Sequence, residues 1–506
     1  MKINQLKGGA ALSYVNILIT NVIGLLLTPF IIRSLGQTEY GLYTMIGALV
    51  GYLTVFDFGL NNTIIRFVAN FRAENDKKGE ENFLAHSYII YGFISLFILS
   101  VGFLFYSNLS SLYEQTLSAQ QIQKAEIMFA ILIFNLAISL PGGALTGICS
   151  GYEEFIFPKI VTILKYLIRS ILVVGILLYQ GDSVSLVILD TCMNLLIILI
   201  NGLIVFKKLK VKIRLHKFEV TLLKTILGFS SWIFIFALVH QLRWQFGQLV
   251  LGLYYGTAIV AVYAVGSTLG NYYGAFSSAI SNIFLPRAIQ MIVKKSSKEE
   301  LTNMFIKISR IILIVLLFIF GGFILVGRDF IYYWVGEEYN EAYYYTIFIM
   351  IGLTPILSQG FANNLLEAKK LLSYRGILLL TLTIMGTILG IYMAKNYGVL
   401  EMIASIVAFM LLERLIMIPY YSKHLFLEMG RYYKEISPLF IGLGIVLGIS
   451  LTVNVFLPEQ NLYVFISSVI YYSILYFAVT LLFMTSYEKS ILKSFTNRIP
   501  LIRKLF

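Results

Sequence analysis

Lys207-Lys208-Leu209-Lys210-Val211-Lys212-Ile213-Arg214-Leu215-His216-Lys217 is a basic segment set between two long apolar runs, 183–206 and 225–251. With Lys224 it carries seven cations. Each flanking run exceeds the roughly 20 residues that a helix needs to cross the hydrocarbon core. A short, strongly basic gap between two such runs marks the inner side of a membrane. From this gap the remaining runs can be counted in both directions.

Counting gives about fourteen expected spans: 10–32, 40–65, 84–106, 125–149, 158–179, 183–206, 225–251, 257–285, 305–327, 343–366, 373–394, 399–422, 436–457 and 462–485. The cations alternate with them. Of the 39 Lys+Arg, thirty-two fall in inner gaps and termini, from Lys2 and Lys7 to Arg498, Arg503 and Lys504. Four fall in outer gaps (Arg33, Lys124, Arg328, Lys395) and three deep inside spans (Arg169, Arg243, Arg414), cations near inner span ends such as Lys165, Arg310 and Arg375 being counted with the inner gaps. The bias predicts both termini on the cytoplasmic side of a cytoplasmic membrane. The first run, Ala10 to Ile32, is too long for a signal-peptide core and is expected to stay as span 1.

Composition agrees. The chain is 58% hydrophobic and 13% charged, with a mean hydropathy of +0.82, where a soluble domain carries about a quarter charged residues. No polar gap is long enough to fold alone, so a soluble catalytic domain is excluded. The net charge of +13 reads as inner-loop cations meeting anionic membrane lipids, with no nucleic-acid partner. Cys149 and Cys192 both lie in apolar runs and form no disulfide framework. The four histidines have no metal spacing, no phosphate-binding Gly-Lys-Ser/Thr loop is present, and no cofactor is expected.

Two internal matches suggest duplication. Gly36, Tyr43 and Leu49 fall on Gly256, Tyr263 and Leu269 at one offset, and Pro141 and Glu153 fall on Pro355 and Glu367 at another. Spans 1–6 then echo spans 7–12 in parallel orientation, a pattern that places substrate between the halves. The expected divisions are 1–206, 207–424, and 425–506, the last being two extra helices with a basic cytoplasmic tail. Pro29, Pro141, Pro355 and Pro419 interrupt spans and favour kinks. Gly143, Gly147 and Gly151, Gly47 with Gly51, and Gly386 with Gly390 offer small faces for close helix contact.

Thr28-Pro29-Phe30-Ile31-Ile32-Arg33-Ser34-Leu35-Gly36, then Glu39-Tyr40-Gly41-Leu42-Tyr43 and Phe56-Asp57-Phe58-Gly59-Leu60 ahead of Arg66, resemble the amino-terminal signature of the Wzx-type polysaccharide-biosynthesis flippases. These belong to the multidrug/oligosaccharidyl-lipid/polysaccharide exporter superfamily. The resemblance implies an all-α integral membrane protein: two parallel six-helix bundles in a V around a central cavity, plus two C-terminal helices. It implies an oligosaccharide on undecaprenyl pyrophosphate as cargo, moved to the outer leaflet by alternating access for O-antigen or capsule synthesis. Polysaccharide polymerase and chain-length proteins are the implied partners. The drug-exporting branch often carries an acid in span 1; here span 1 offers only Asn16, Thr20, Asn21 and Thr28.

Charges inside spans are costly and usually face a cavity or a partner. Lys165 and Arg169 share a helix face at i, i+4. His240, Arg243 and Trp244 share another, which Gln248 extends. Arg414 adjoins Glu413, and neighbouring helical positions point apart. Guanidinium binds pyrophosphate bidentately and aromatics stack on sugars, so these residues are the expected substrate contacts, with Arg66 at a span end. The alternative is that each pairs with a carboxylate such as Asp190 or Glu413, or snorkels. Asp57, Asp190 and Glu413, with His240, are the candidates for proton coupling. Two other functions fit less of the sequence. A drug or cation exporter of the same fold conflicts with a cationic cavity. A membrane glycan polymerase would need a large acid- or base-bearing outer loop, and the longest outer gap, Ser107 to Lys124, holds Glu114 as its one acid near the middle.

Overall fold

The computed structural model describes residues 5–281, 284–455 and 461–496, and among them every regular element is helical. The expected inner cations Lys2, Arg498, Arg503 and Lys504 lie outside the described residues, as does the expected outer turn 458–460. The chain separates into two compact units, Met1–Ala264 with Ile391–Val399, and Val265–Gly390 with Leu400–Phe506.

The first unit contains α1 (Gln5–Leu35), α2 (Gln37–Leu53), α3 (Leu60–Ala73), α4 (Lys77–Tyr113), α5 (Ala119–Gly151), α6 (Ile156–Leu178), α7 (Ser183–Leu203), α8 (Val220–Trp244), α9 (Phe246–Tyr255) and the start of α10 (Thr257–Ser281). Side-chain caps decide where its long helices begin. Asp76 accepts from the Gly79 amide at 2.9 Å ahead of α4. Ser118 and Gln121 form a reciprocal capping box on α5, and Asp182 caps α7 at 3.1 Å. Each satisfies amides that a helix start leaves without partners. The starts of α2, α5 and α7 are then tied together: Lys124 bridges Glu39 at 2.9 Å and Asp182 at 3.2 Å, while the Ser183 hydroxyl donates to Glu39.

Leu27 of α1, Val173 and Leu177 of α6, and Leu186, Leu189 and Met193 of α7 form one core. The opposite faces stay apolar and uncovered: Leu26, Phe93, Phe103 and Ile171 are each between 68% and 72% exposed. That is the surface of a helix bundle solvated by lipid. The basic segment 207–217 is held to this unit. The Asn82 side chain accepts from the His216 and Lys217 amides at 3.0 and 3.1 Å, and the Glu219 amide donates to His86 Nε2 at 2.9 Å.

The second unit contains α11 (Leu285–Val293), α12 (Lys298–Trp334), α13 (Ala342–Ser358), α14 (Gly360–Ala368), most of α15 (Leu372–Asn396) and α16 (Val399–Tyr420), then α17 (Met429–Val455), α18 (Leu462–Phe483) and α19 (Ser486–Thr496). Helix α12 is its organiser, packing against α13, α17 and α18. One turn past Pro355 the span bends by 44° between α13 and α14, as expected where a proline removes a backbone donor.

Eleven helices among the described residues are long and apolar enough to cross a membrane, or twelve with the bent α13–α14 pair taken as one. The protein is a multi-pass membrane protein. The two expected spans not in that count, 225–251 and 257–285, fall on α8–α9 and α10, where part of the sequence lies outside the described side chains. Several polar gaps turn out to be helical. The outer gap expected from Ser107 to Lys124 shrinks to 114–118, because α4 and α5 run beyond the apolar stretch on either side of it.

The small-residue faces divide. A β-carbon on Gly147 would meet Asn61 Oδ1 at 2.3 Å and one on Gly151 would meet Val68 at 2.7 Å, so α3 crosses α5 there in close contact. Gly143 and Gly47 face open space. The duplication has a backbone counterpart: Gly36 ends α1 with φ 77° and ψ 164°, and Gly256 ends α9 with φ 78° and ψ −177°. Both occupy a region that only glycine enters freely.

Candidate functional site

The first unit places Lys165 and Arg169 on one face of α6, as their spacing predicts. Arg169 forms a two-bond ion pair with Asp190 of α7, Nη2 lying 2.9 Å from Oδ2. The Tyr43 hydroxyl donates to the same carboxylate at 3.3 Å. Lys165 sits one turn before Arg169, half-buried and within electrostatic reach of Asp190. Two cations therefore share one carboxylate. Arg169 is the positioned partner, and Lys165 makes no ion pair within 4 Å among the described residues.

At the end of α8, His240 and Trp244 bring their rings to 6.4 Å, with half-buried Arg243 between them in the last turn. A cation there also meets the negative end of the helix dipole. Gln248 does not extend this face. The helix breaks at Gln245, and Gln248 belongs to α9, where it is buried. Arg66 lies on the exposed side of α3.

The second unit corrects the reading of Glu413 and Arg414. The two side chains do not diverge; the Arg414 guanidinium folds back onto the neighbouring Glu413 carboxylate through two hydrogen bonds. Both groups are almost wholly buried. Leaving either alone there would cost several kcal/mol, and the long arginine side chain has the reach to avoid it. Arg375, from the first turn of α15, approaches the same carboxylate at 3.6 Å. Tyr421 and Gln359 complete the surroundings of Arg414 at 3.2 and 3.4 Å. Beside Gln359 opens an apolar cavity of about 540 Å³ whose polar rim includes Thr354, Ser358 and Tyr433.

Arg375 was expected as an inner-loop cation. Its signal was its place at the start of an apolar run, within reach of whatever α16 buries. Tyr43 and Tyr421 carry no sequence signal for this role, since a tyrosine beside a carboxylate is identifiable only in three dimensions. Both clusters have the same form: one carboxylate, one arginine bound to it, and a second cation close by. No group of three or more His, Cys, Asp or Glu able to hold a metal occurs among the described residues.

Asp57 stands apart. It closes a one-turn 3-10 helix, Thr54–Asp57, that separates α2 from α3 within span 2. It forms no ion pair among the described residues, and the Tyr91 hydroxyl and the Gly59 amide face it.

The polysaccharide biosynthesis protein family matches residues 6–287 of this chain. The chain belongs to that family. This is the Wzx-type branch of the exporter superfamily that residues 28–43 and 56–60 resemble. A "Putative O-antigen transporter" of Shigella flexneri is 23% identical over 322 residues, 62% of this chain and 72% of that protein. A protein of the same description from Salmonella typhi is 23% identical over 418 residues, 79% and 91% of the two chains. Among solved structures, the lipid II flippase MurJ in an inward closed conformation superposes with a TM-score of 0.74 at 14% identity, covering 96% of this chain and 99% of its own. An inward-facing multidrug resistance MATE family transporter gives 0.61 at 15% identity, over 80% and 93%. The all-helical fold is thus like that of the superfamily's solved members, as the sequence predicts, with eleven or twelve of the fourteen expected spans counted among the described residues. The chain's relatives and neighbours are named as transporters and flippases.

Proposed function

We propose that this family member is a flippase that carries an oligosaccharide on undecaprenyl pyrophosphate from the inner to the outer leaflet of the cytoplasmic membrane, both chain termini lying on the cytoplasmic side. The observation that carries the reading is the pair of intramembrane clusters, each with one more cation than carboxylate, on a fold shared with a lipid II flippase. Such a surplus attracts a diphosphate without demanding that the protein supply a counter-ion. The O-antigen transporter names of its relatives point to the same cargo class. Lys165 and Arg169, Arg414, and the His240–Arg243–Trp244 end of α8 are the proposed contacts for phosphate and sugar. Alternating exposure of these groups to the two sides would move the headgroup, while the lipid chain stays in the bilayer.

Deleting the gene in its host tests the proposal. Surface glycan should fall and the lipid-linked intermediate should build up on the inner leaflet. Unchanged surface glycan with no such build-up would overturn it. Drug export is the second reading, favoured by the fold shared with MATE transporters. A broad rise in resistance on expression in a drug-sensitive strain would establish it in place of the first.

A further inference from the structure

The three acids that could carry a coupling proton are not equivalent in the structure. Asp190 is bound by Arg169, and Glu413 is held by Arg414 with Arg375 close by. An arginine stays charged at any relevant pH, so each of these two carboxylates has a permanent cationic partner. Among the described residues, Asp57 has no such partner. It is the twenty-first residue of a 37-residue span, Gln37–Ala73, far from either end. A lone charge at that depth is among the most costly groups in a membrane protein and is a functional-site hypothesis by default.

The backbone is unusual at the same point. Helix α2 stops at Leu53, the 3-10 turn follows, and Phe58 and Gly59 then both take left-handed conformations, φ 51° and 65°. A phenylalanine there costs roughly 1–2 kcal/mol, and such strain persists only where the surroundings impose it. Asp57 helps impose it, because its carboxylate accepts from the amide of Gly59, the residue that starts α3. Facing it from α4 is Tyr91, fully buried, whose hydroxyl is directed at the Asp57 carboxylate. Asn61 Oδ1, one turn further along α3, is buried without a hydrogen bond.

The groups around Asp57 identify the ligand. Gly59 N–H and Tyr91 O–H are both donors. They suit a carboxyl group, and an N–H cannot coordinate a metal ion. From α4 the further titratable neighbour is Tyr88, behind Tyr91. From α8 come Phe234, stacked on Phe58 at 4.8 Å, and Gln241, bonded to Thr54 at 3.0 Å. From α2 comes Tyr52, whose hydroxyl has no hydrogen bond. Among the described residues, no lysine, arginine, histidine or second carboxylate lies close enough to interact with Asp57. Phe56 and Phe97, 5.0 Å apart, add to an aromatic collar that disfavours hydrated ions.

We infer that Asp57, at the break in span 2, is the proton-binding site that couples an ion gradient to transport. Asp57 takes one proton from water on one side, loses its charge and its grip on the Gly59 amide, and so frees the α2–α3 break to relax. Returning the proton to the other side restores it. The coupling role rests on the proposed transport cycle; the proton site itself does not.

Infrared spectroscopy of the purified, lipid-reconstituted protein tests the site without any substrate. A carboxylic-acid carbonyl band should appear and disappear as the pH is changed. It should vanish in Asp57→Asn, change frequency in Asp57→Glu, and titrate at a different pH in Tyr91→Phe. If Asp57→Asn fails to accumulate, Asp57→Glu keeps the carboxyl and carries the same test. A band unchanged in Asp57→Glu, or one that responds to sodium rather than to pH, would overturn the inference. Should the band behave as expected while gene deletion leaves surface glycan intact, the proton site stands and the glycan reading alone fails.

Discussion

Lys165 and Arg169 are one turn apart on the same helix face, yet the structure gives them opposite expectations on substitution. Arg169 is bonded to Asp190, which also receives the Tyr43 hydroxyl. Arg169→Gln therefore strands a carboxylate within a span, and breaking such a pair costs up to about 3–5 kcal/mol when it is fully buried. This one is a fifth to a quarter exposed, so a smaller loss is expected, seen as reduced protein in the membrane. Lys165→Gln breaks no pair. Protein level should hold, and glycan export should fall if Lys165 meets the diphosphate. Quantifying surface glycan and membrane-embedded protein together separates the two roles; full export by Lys165→Gln at normal abundance would remove it from the site. The second cluster offers a harsher case. Glu413→Gln leaves Arg414 and Arg375 with no carboxylate between them in a buried site, and here the full 3–5 kcal/mol is expected. Unaltered thermal unfolding in detergent would contradict that account.

Among the elements, the two glycine corners make the sharpest comparison. Gly36 and Gly256 join α1 to α2 and α9 to α10 with the same backbone conformation, and alanine in that region costs on the order of 1–3 kcal/mol. A β-carbon on Gly36 would meet nothing within 4 Å, while one on Gly256 would also meet the Thr116 carbonyl at 3.3 Å. Both alanine variants should lower the unfolding temperature, Gly256→Ala by more. Gly47→Ala, in open space within α2, should instead stabilise slightly, by about 0.4–1 kcal/mol. Equal effects at all three positions would rule out the conformational explanation. These corners were legible as a repeat of Gly36 on Gly256 because glycine marks a backbone demand directly. The long helices were legible for a similar reason: apolar length and charge alternation follow from lipid alone. Pro355 marked one break, but the others were not legible. Gln245, where α8 gives way to α9, is neither glycine nor proline, and the polar residues beside it, Arg243 and Gln248, read as site candidates rather than as a break. Ion-pair choice was least legible. Adjacent residues on a helix point apart, which hid the Glu413–Arg414 pair, and only a third element, α15 with Arg375, shows why that carboxylate is held where it is.

At the scale of the molecule, the question is what attaches the last two spans. Arg310 of α12 answers much of it. Its guanidinium donates to Glu488 of α19 at 2.6 and 3.1 Å, to the Phe483 carbonyl that ends α18 at 2.8 Å, and to the Glu435 carbonyl of α17. Glu488 in turn accepts from the Thr485 amide at 2.8 Å, and both charged side chains are 3% exposed. Four of the five guanidinium N–H groups are used within the second unit, so one arginine fixes three helices to α12. The clamp has the form of a structural element, not a site, and that difference can be measured. Glu488→Gln should leave Arg310 buried with a weaker partner and cost up to about 3–5 kcal/mol. The sequence after Met484 should then become open to protease. Replacing both groups with apolar residues, Arg310→Met with Glu488→Leu, removes the stranded charge and should recover much of the lost stability, though the carbonyls of Phe483 and Glu435 would still lack their donor. Surface glycan should follow protein abundance in both variants. If export instead collapsed in the double variant at normal abundance, Arg310 would belong to the transport machinery and not to the scaffold.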